Sequence, residues 1–220
     1  QFYADKEAPP KILVNCDKKN FKNVENILNT KNKQKIIIQN PITGEKYKHI
    51  KLAEKNAKEN IKLKKASLEN HHRALHKLKK FLNLDELPNR IEVYDNSHTF
   101  GKDSVGVMIV VDQEGLSPKN YRKYNIRYNS TSDDHSHIDD YYMMKEVLSR
   151  RIKKINREEN MVVPDVIIVD GGRGQYNVVE NILKENNLET ISLICVSKGK
   201  ERNAGKEIIH TVDGNVNLRI

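Results

Sequence analysis

Between Pro164 and Lys184 the sequence spells out one strand–turn–helix unit. Pro164 restarts the chain, Val166–Val169 is an unbroken apolar run, and Asp170 closes it. Gly171-Gly172-Arg173-Gly174 makes a tight turn, and Gln175 to Lys184 has helical periodicity. An apolar run bounded by turn signals reads as a strand buried on both faces, and helices are what cover such strands. A second buried run, Ile191–Val196, follows at once. This part of the chain must therefore fold as α/β.

The residues upstream extend the pattern. Ile91–Tyr94 is a short strand ending in Asp95. Val105–Val111 is a second, closed by a hairpin-like turn at Asp112-Gln113-Glu114-Gly115, and Tyr121–Tyr128 is a third, rich in Tyr, Arg and Lys. Residues 130–137 are loop-like. Asp139 to Ile155 reads as a helix with Met143, Met144, Val147, Leu148, Arg151 and Ile155 on neighbouring turns, and Glu207–Thr211 as a last strand. The order β-β-β-α-β-α-β gives a mixed sheet flanked by helices.

The first 89 residues have a different grammar. They read as a strand over 9–14, a helix over 20–29 with Phe21, Val24, Ile27 and Leu28 at helical spacing, and a strand at Lys35–Gln39. A helix of about 30 residues follows Gly44 and ends by Pro88. Its apolar stripe is Ile50, Ala53, Ala57, Ile61, Leu68, Leu75, Leu78 and Leu82, expected to brace against the rest of the fold. We therefore divide the chain into a small basic α+β segment, 1–89, and an α/β domain, 90–220. Residues 1–90 carry 21 Lys and Arg against 10 Asp and Glu, whereas residues 91–220 carry 18 against 20. The basic part is a candidate for phosphate contact through its summed field. A general lysine bias of the sequence would give the same excess. No apolar run approaches the roughly 18 residues of a membrane helix. Two cysteines, Cys16 and Cys195, lie too far apart in sequence for a disulfide framework or zinc knuckle and suit a reducing cytoplasm. The start at Gln1 shows no signal-peptide pattern, and the chain reads as a fragment of a longer protein.

The chemistry is expected at the strand ends. Asp95 and Asp170 each follow an apolar strand, and ligand sites of open α/β sheets lie beyond the carboxyl ends of the parallel strands. Paired hard-oxygen donors there suit Mg²⁺ or Mn²⁺, and phosphodiester hydrolysis uses such an arrangement. The plainer reading is that both aspartates cap turns. Asp140 offers a third carboxylate; Asp139 and Asp140 also suit a helix start. The Gly171–Gly174 loop lacks both the Walker and the dinucleotide-binding spacings, so a plain tight turn stands beside phosphate binding. Lys198, Lys200 and Arg202 can meet a nucleic-acid backbone or be solvated. His72 and His76 have i, i+4 spacing without an acidic partner motif, and His135 and His137 sit beside aspartates in a polar loop. His98 follows Asp95 by three residues, as a neighbour of the site or a turn residue.

Five motifs in order resemble the C-terminal nuclease half of the UvrC family, the incision subunits of bacterial UvrABC excision repair. They are Asp95-Asn96-Ser97-His98-Thr99, Tyr121–Ile126, Asp139–Tyr141, Pro164–Gln175 and Lys198–Arg202. The resemblance covers residues 90–211; Gln1-Phe2-Tyr3 and Gly44–Ala57 resemble the segment that precedes the family's nuclease core. It implies a ribonuclease H-like fold and a metal-dependent endonuclease making the incision 5′ to a DNA lesion. It maps the catalytic, metal-binding aspartates onto Asp95, Asp140 and Asp170, with Ser97 and His98 in support. Contact with DNA phosphates falls to Arg122, Arg173, Lys198, Lys200 and Arg202. It also implies Mg²⁺ or Mn²⁺ as cofactor, damaged double-stranded DNA, UvrB and the UvrA–UvrB system as partners, a role in the SOS response, and no membrane. Three departures stand out. Asn96 replaces the usual Ile, the loop before Asp139 is longer, and the segment carrying the family's catalytic histidine lies beyond Ile220. His210 does not match that motif. Low activity of this fragment is expected, and a catalytically incomplete DNA-binding module is the alternative.

Overall fold

The computed structural model describes residue 3 and residues 6–31, 34–99, 103–126, 140–158, 161–199 and 207–217. Two compact units emerge, Gln1–Ser67 and Leu68–Ile220. In the first unit, β1 (Lys11–Leu13) and β2 (Ile37–Gln39) pair in parallel, with α1 (Lys18–Lys31) between them in sequence. Phe21 and Leu28, seven residues apart on α1, are buried with Ile36 and Ile38. Val24 and Ile27, expected on the same face, are 49% and 57% exposed. Polar side chains of α1 hold the chain at β2 instead. Asn29 Oδ1 accepts from the Ile36 N–H at 2.6 Å, and Glu25 Oε1 accepts from the Ile38 N–H at 2.8 Å.

Helix α2 (Gly44–Phe81) is 38 residues long, longer than expected, and the division between the units falls inside it. Its end is not set by Pro88. Asn83 takes a left-handed conformation at φ 51°, and the Leu84 N–H donates to the Lys79 carbonyl at 3.0 Å, which closes the last turn. The apolar stripe is used only near its ends: Ile50 and Leu75 are buried, while Ile61 and Leu68 are 66% and 41% exposed. Bracing is therefore confined, within the second unit, to the last turns of α2.

The second unit is an eight-stranded mixed sheet. Its strands are β3 (Arg90–Thr99), β4 (Asp103–Asp112), β5 (Gly115–Leu116), β6 (Arg122–Ile126), β7 (Val166–Asp170), β8 (Ser192–Ser197), β9 (Ile208–Thr211) and β10 (Gly214–Asn217). The order is β10-β9-β8-β7-β3-β4-β5, with β6 also on β4. β3, β7 and β8 run parallel, and the remaining pairs are antiparallel. α3 (Asp140–Arg157) and α4 (Arg173–Glu185) cover one face. There Tyr94, Met108, Val169 and Cys195 pack with Met143, Val147, Leu148 and Val179. On the other face Leu75, flanked by Leu78 and Leu82, packs on Ile91, Val166 and Ile194. These contacts place the end of α2 with the sheet, in the compact unit Leu68–Ile220. The two-residue β5 and the edge strand β10 carry no local sequence signal. The local pattern ends β3 at Asp95, whereas the strand continues to Thr99 because β4 pairs with it as far as Thr99↔Asp103.

Candidate functional site

The parallel pairing of β3 with β7 runs from Ile91↔Val166 to Tyr94↔Val169. Asp95 and Asp170 are the next residue on each strand. Adjacent strands lie about 4.8 Å apart, and residues in register share a face. Tyr94 and Val169 face α3 and α4, so the two aspartates project together to the opposite side. Both are exposed, and neither carboxylate is in an ion pair or hydrogen bond with a described residue. Two adjacent like charges with no cation of a described residue paired to them fit a divalent cation: hard carboxylate oxygens are its preferred donors.

Asp140 opens α3 and is exposed. The next residue fixes where that helix starts. The Tyr141 ring lies so close to Gly174 that a Cβ there would overlap its hydroxyl. The first turn of α3 thus meets the first turn of α4, just after the Asp170–Gly172 turn. The structure brings Asp140 to the same end of the sheet, while Asp95 and Asp170 are the pair in register. Among the described residues no group of three His, Cys, Asp or Glu is gathered to hold a metal ion. A cation held by two carboxylates and completed by water or substrate phosphate remains compatible with this donor set.

The turn after β7 is built by glycine for lack of space. A Cβ on Gly171 would run into the Gln175 side chain. Gln175 Oε1 in turn accepts from the Gly172 N–H at 3.0 Å. Arg173 donates through Nη1 to the Thr211 carbonyl at 2.7 Å and stacks 4.6 Å over the Tyr176 ring. Arg122 on β6 is exposed and donates to the Tyr121 and Lys119 carbonyls. Lys198 and Ser97 are exposed. The side chain of His98, Lys200, Arg202 and the Asp133–His137 loop lie outside the described residues.

Side chains not singled out for the site hold its two main elements in place. Glu92 is fully buried and accepts from four donors: Arg151 Nη2 at 2.7 Å and Nε at 3.0 Å, Arg90 Nε at 2.7 Å and Tyr94 Oη at 2.6 Å. Burial alone would raise the Glu92 pKa, but the hydrogen bonds and charge of Arg151 outweigh it and hold the carboxyl below its ordinary value. The pair ties α3, which carries Asp140, to β3, which carries Asp95. Gly106 on β4 lets α3 approach, since a Cβ there would overlap Val147 Cγ2 and come within 3.0 Å of Asn96 Oδ1. That oxygen is buried with no hydrogen-bond partner among the described residues, so Asn96 sits in a position that suits an apolar side chain.

A polar chain beside the Asp170 turn was also not legible. His210 Nε2 lies 2.8 Å from Ser197 Oγ, and its Nδ1 lies 2.7 Å from Asn215 Oδ1. Ser197 ends β8, which pairs with Asp170 through Val196. The three residues share one face only because β8, β9 and β10 pair in this register, which no local pattern announces. A cavity of about 430 Å³ lies near the other end of β8, lined by Phe81, Leu82, Tyr176, Leu183, Leu193 and Val212. It is apart from the carboxylates.

Residues 79–219 match the family model described as the UvrC RNAse H endonuclease domain, and residues 1–64 match that of the UvrC Ribonuclease H-like domain. The UvrABC system protein C of Zymomonas mobilis is 38% identical over 219 residues, covering 98% of this chain and 32% of that protein. That of Cereibacter sphaeroides is 39% identical over 214 residues, covering 96% and 34%. The chain thus spans about a third of the length of these curated relatives. Human ENDOV is a solved structure with 13% identity and a TM-score of 0.38, over 60% of this chain and 59% of that one. No described helix is long and apolar enough to cross a membrane.

Proposed function

The chain belongs to the UvrC RNase H endonuclease family, and on that premise we propose that it is the part of a UvrABC excision-repair endonuclease that makes the incision 5′ to a lesion in double-stranded DNA. The observation that carries the reading is the register of Asp95 and Asp170, one residue past Tyr94↔Val169 on adjacent parallel strands. These two aspartates would hold Mg²⁺ or Mn²⁺, and Asp140, at the same end of the sheet, is the third carboxylate that the family reading adds. A bound divalent cation supplies charge stabilisation at the phosphoryl oxygens and a nucleophilic water near neutral pH. The chain's own part is positioning. Glu92 and Arg151 hold α3 on β3, Gly171 shapes the turn that presents Asp170, and Lys198 and Arg173 flank that turn with positive charge toward a DNA phosphate. Damaged DNA and the UvrA–UvrB system are the partners, in the cytoplasm.

The test is Asp170→Ala in the full-length protein, assayed with UvrA and UvrB on lesion-bearing duplex DNA. Loss of several kcal/mol of transition-state stabilisation corresponds to a drop of 5′ incision on the order of 10³-fold, with the fold retained by circular dichroism. Unchanged incision removes the assignment. One observation favours the second reading, a DNA-binding module of the same fold that does not cut: the described residues gather no three-membered metal cluster. Salt-dependent DNA binding without metal-dependent nicking, even in the full-length protein, is the result that reading requires.

A further inference from the structure

Helix α2 carries more lysine than its own fold uses. Residues 46–65 hold eight lysines against two glutamates. An α-helix turns about 100° per residue. On that wheel Lys48, Lys51, Lys55, Lys58, Lys62 and Lys65 fall within an arc of about 100°, and only Lys46 and Lys64 lie opposite. A compositional bias toward lysine would scatter them around the helix; the spacing of three and four residues gathers them on one face. All six are exposed, and of residues 51–70 only Glu54 is even half-buried.

The stripe is poorly neutralised. Glu54 pairs with Lys51 and Lys58, each at 3.1 Å, and Glu59 reaches Lys55 at 3.9 Å. Both glutamates sit at the margins of the arc and leave its centre positive. Lys62 and Lys65 have no ion pair with a described residue. Like charges three and four residues apart repel, so the chain holds a row of self-repelling cations about 26 Å long. A polyanion with regularly spaced charges is the partner that relieves this, and nucleic-acid backbone is such a polymer.

We propose that the Lys48–Lys65 face of α2 is a binding surface for the DNA phosphate backbone. It is sequence-independent, needs no metal, and lies on residues other than the carboxylates of the nuclease reading. Five of its lysines, Lys51, Lys55, Lys58, Lys62 and Lys65, form the continuous row.

The experiment measures affinity of the chain for an undamaged duplex, in EDTA, across a series of salt concentrations. The variants are the five-fold Lys→Gln and the five-fold Lys→Arg replacements of that row. Each phosphate neutralised contributes about 0.9 to the slope of log K against log salt. The Gln variant is expected to lose about 2 to 4 from the magnitude of that slope and to bind at least tenfold more weakly, whereas the Arg variant binds as the wild type does. Gln and Arg are both good helix formers, so equal helicity by circular dichroism separates loss of charge from loss of fold. Should the Gln variant unfold, the Arg variant and single Lys62→Gln and Lys65→Gln replacements, each lowering the slope by about 0.9, carry the same test. An unchanged slope and affinity in the Gln variants overturns the proposal. So does a wild type that binds polyglutamate through this row while its DNA affinity ignores it, which would assign the face to an acidic protein. The readout is DNA affinity in EDTA, where no metal-dependent incision takes place, so failure of the nuclease reading and failure of the lysine surface are told apart.

Discussion

Arg151 is 3% exposed, and its guanidinium takes both oxygens of a carboxylate that is itself fully buried. Removing one partner of such a pair leaves a buried charge and costs about 3–5 kcal/mol. Arg151→Met is therefore expected to lower unfolding free energy by that amount at pH 7 in urea denaturation. The pH dependence has a definite sign. The folded Glu92 pKa lies below its unfolded value, so its stabilisation is present above the ordinary glutamate value of about 4.3 and is lost as pH falls through the lowered folded value. The deficit of Arg151→Met should be largest near neutrality and shrink below about pH 4; a constant deficit would show that packing, not charge, is what Arg151 supplies. Neither partner announces itself in the sequence. Periodicity places Arg151 on the inner face of its helix, but nothing local tells that Glu92 waits there, 59 residues earlier. Asp95 and Asp170 were legible for the opposite reason. A carboxylate directly after an apolar run has no place in the core and must come out at the rim.

At the scale of elements, α3 rests on the sheet through an approach that one missing carbon allows. Gly106→Ala would drive a methyl group into Val147, whose β-branched side chain is stiff on a helix and 1% exposed. The expected cost is about 1–3 kcal/mol in thermal unfolding, with a larger proportional loss of incision because the start of α3 shifts with it. Wild-type stability in Gly106→Ala would mean that α3 floats on the sheet. Most elements could be read because apolar runs, Gly turns and helical spacing are local signals. The extent of β3 could not. Asp95-Asn96-Ser97-His98-Thr99 has no strand-like alternation and is extended only because β4 offers a partner along its whole length. The stop of α2 is hidden for a similar reason, since the left-handed Asn83 that closes it lies five residues before Pro88, the only local stop signal the sequence offers there.

Over the whole molecule, α2 runs through the division between the two compact units, and its stability is uneven. Residues 71–81 lie against the sheet through Leu75 and Leu78, whereas residues 51–70 are exposed on nearly every side. A helix without an apolar contact is marginal in water. Amide hydrogen exchange should therefore be faster over 51–70 than over 71–81 by a factor of at least about ten, narrowing when DNA is bound; uniform protection along the helix would contradict this division. The register of β3 and β7 has a consequence in time as well as in space. Tyr94 and Val169 are brought side by side across about 75 residues of chain, among the most distant pairings in the sheet. Contacts between such remote residues are slow to form, after hairpins such as β3–β4 and β9–β10. On this topology the carboxylate pair is completed late in folding. On the two proposals made above, a newly made chain would carry its positive charge toward nucleic acid before it acquires the means to cut, and a misfolded one that never closes β3 on β7 would be a harmless binder rather than a stray nuclease.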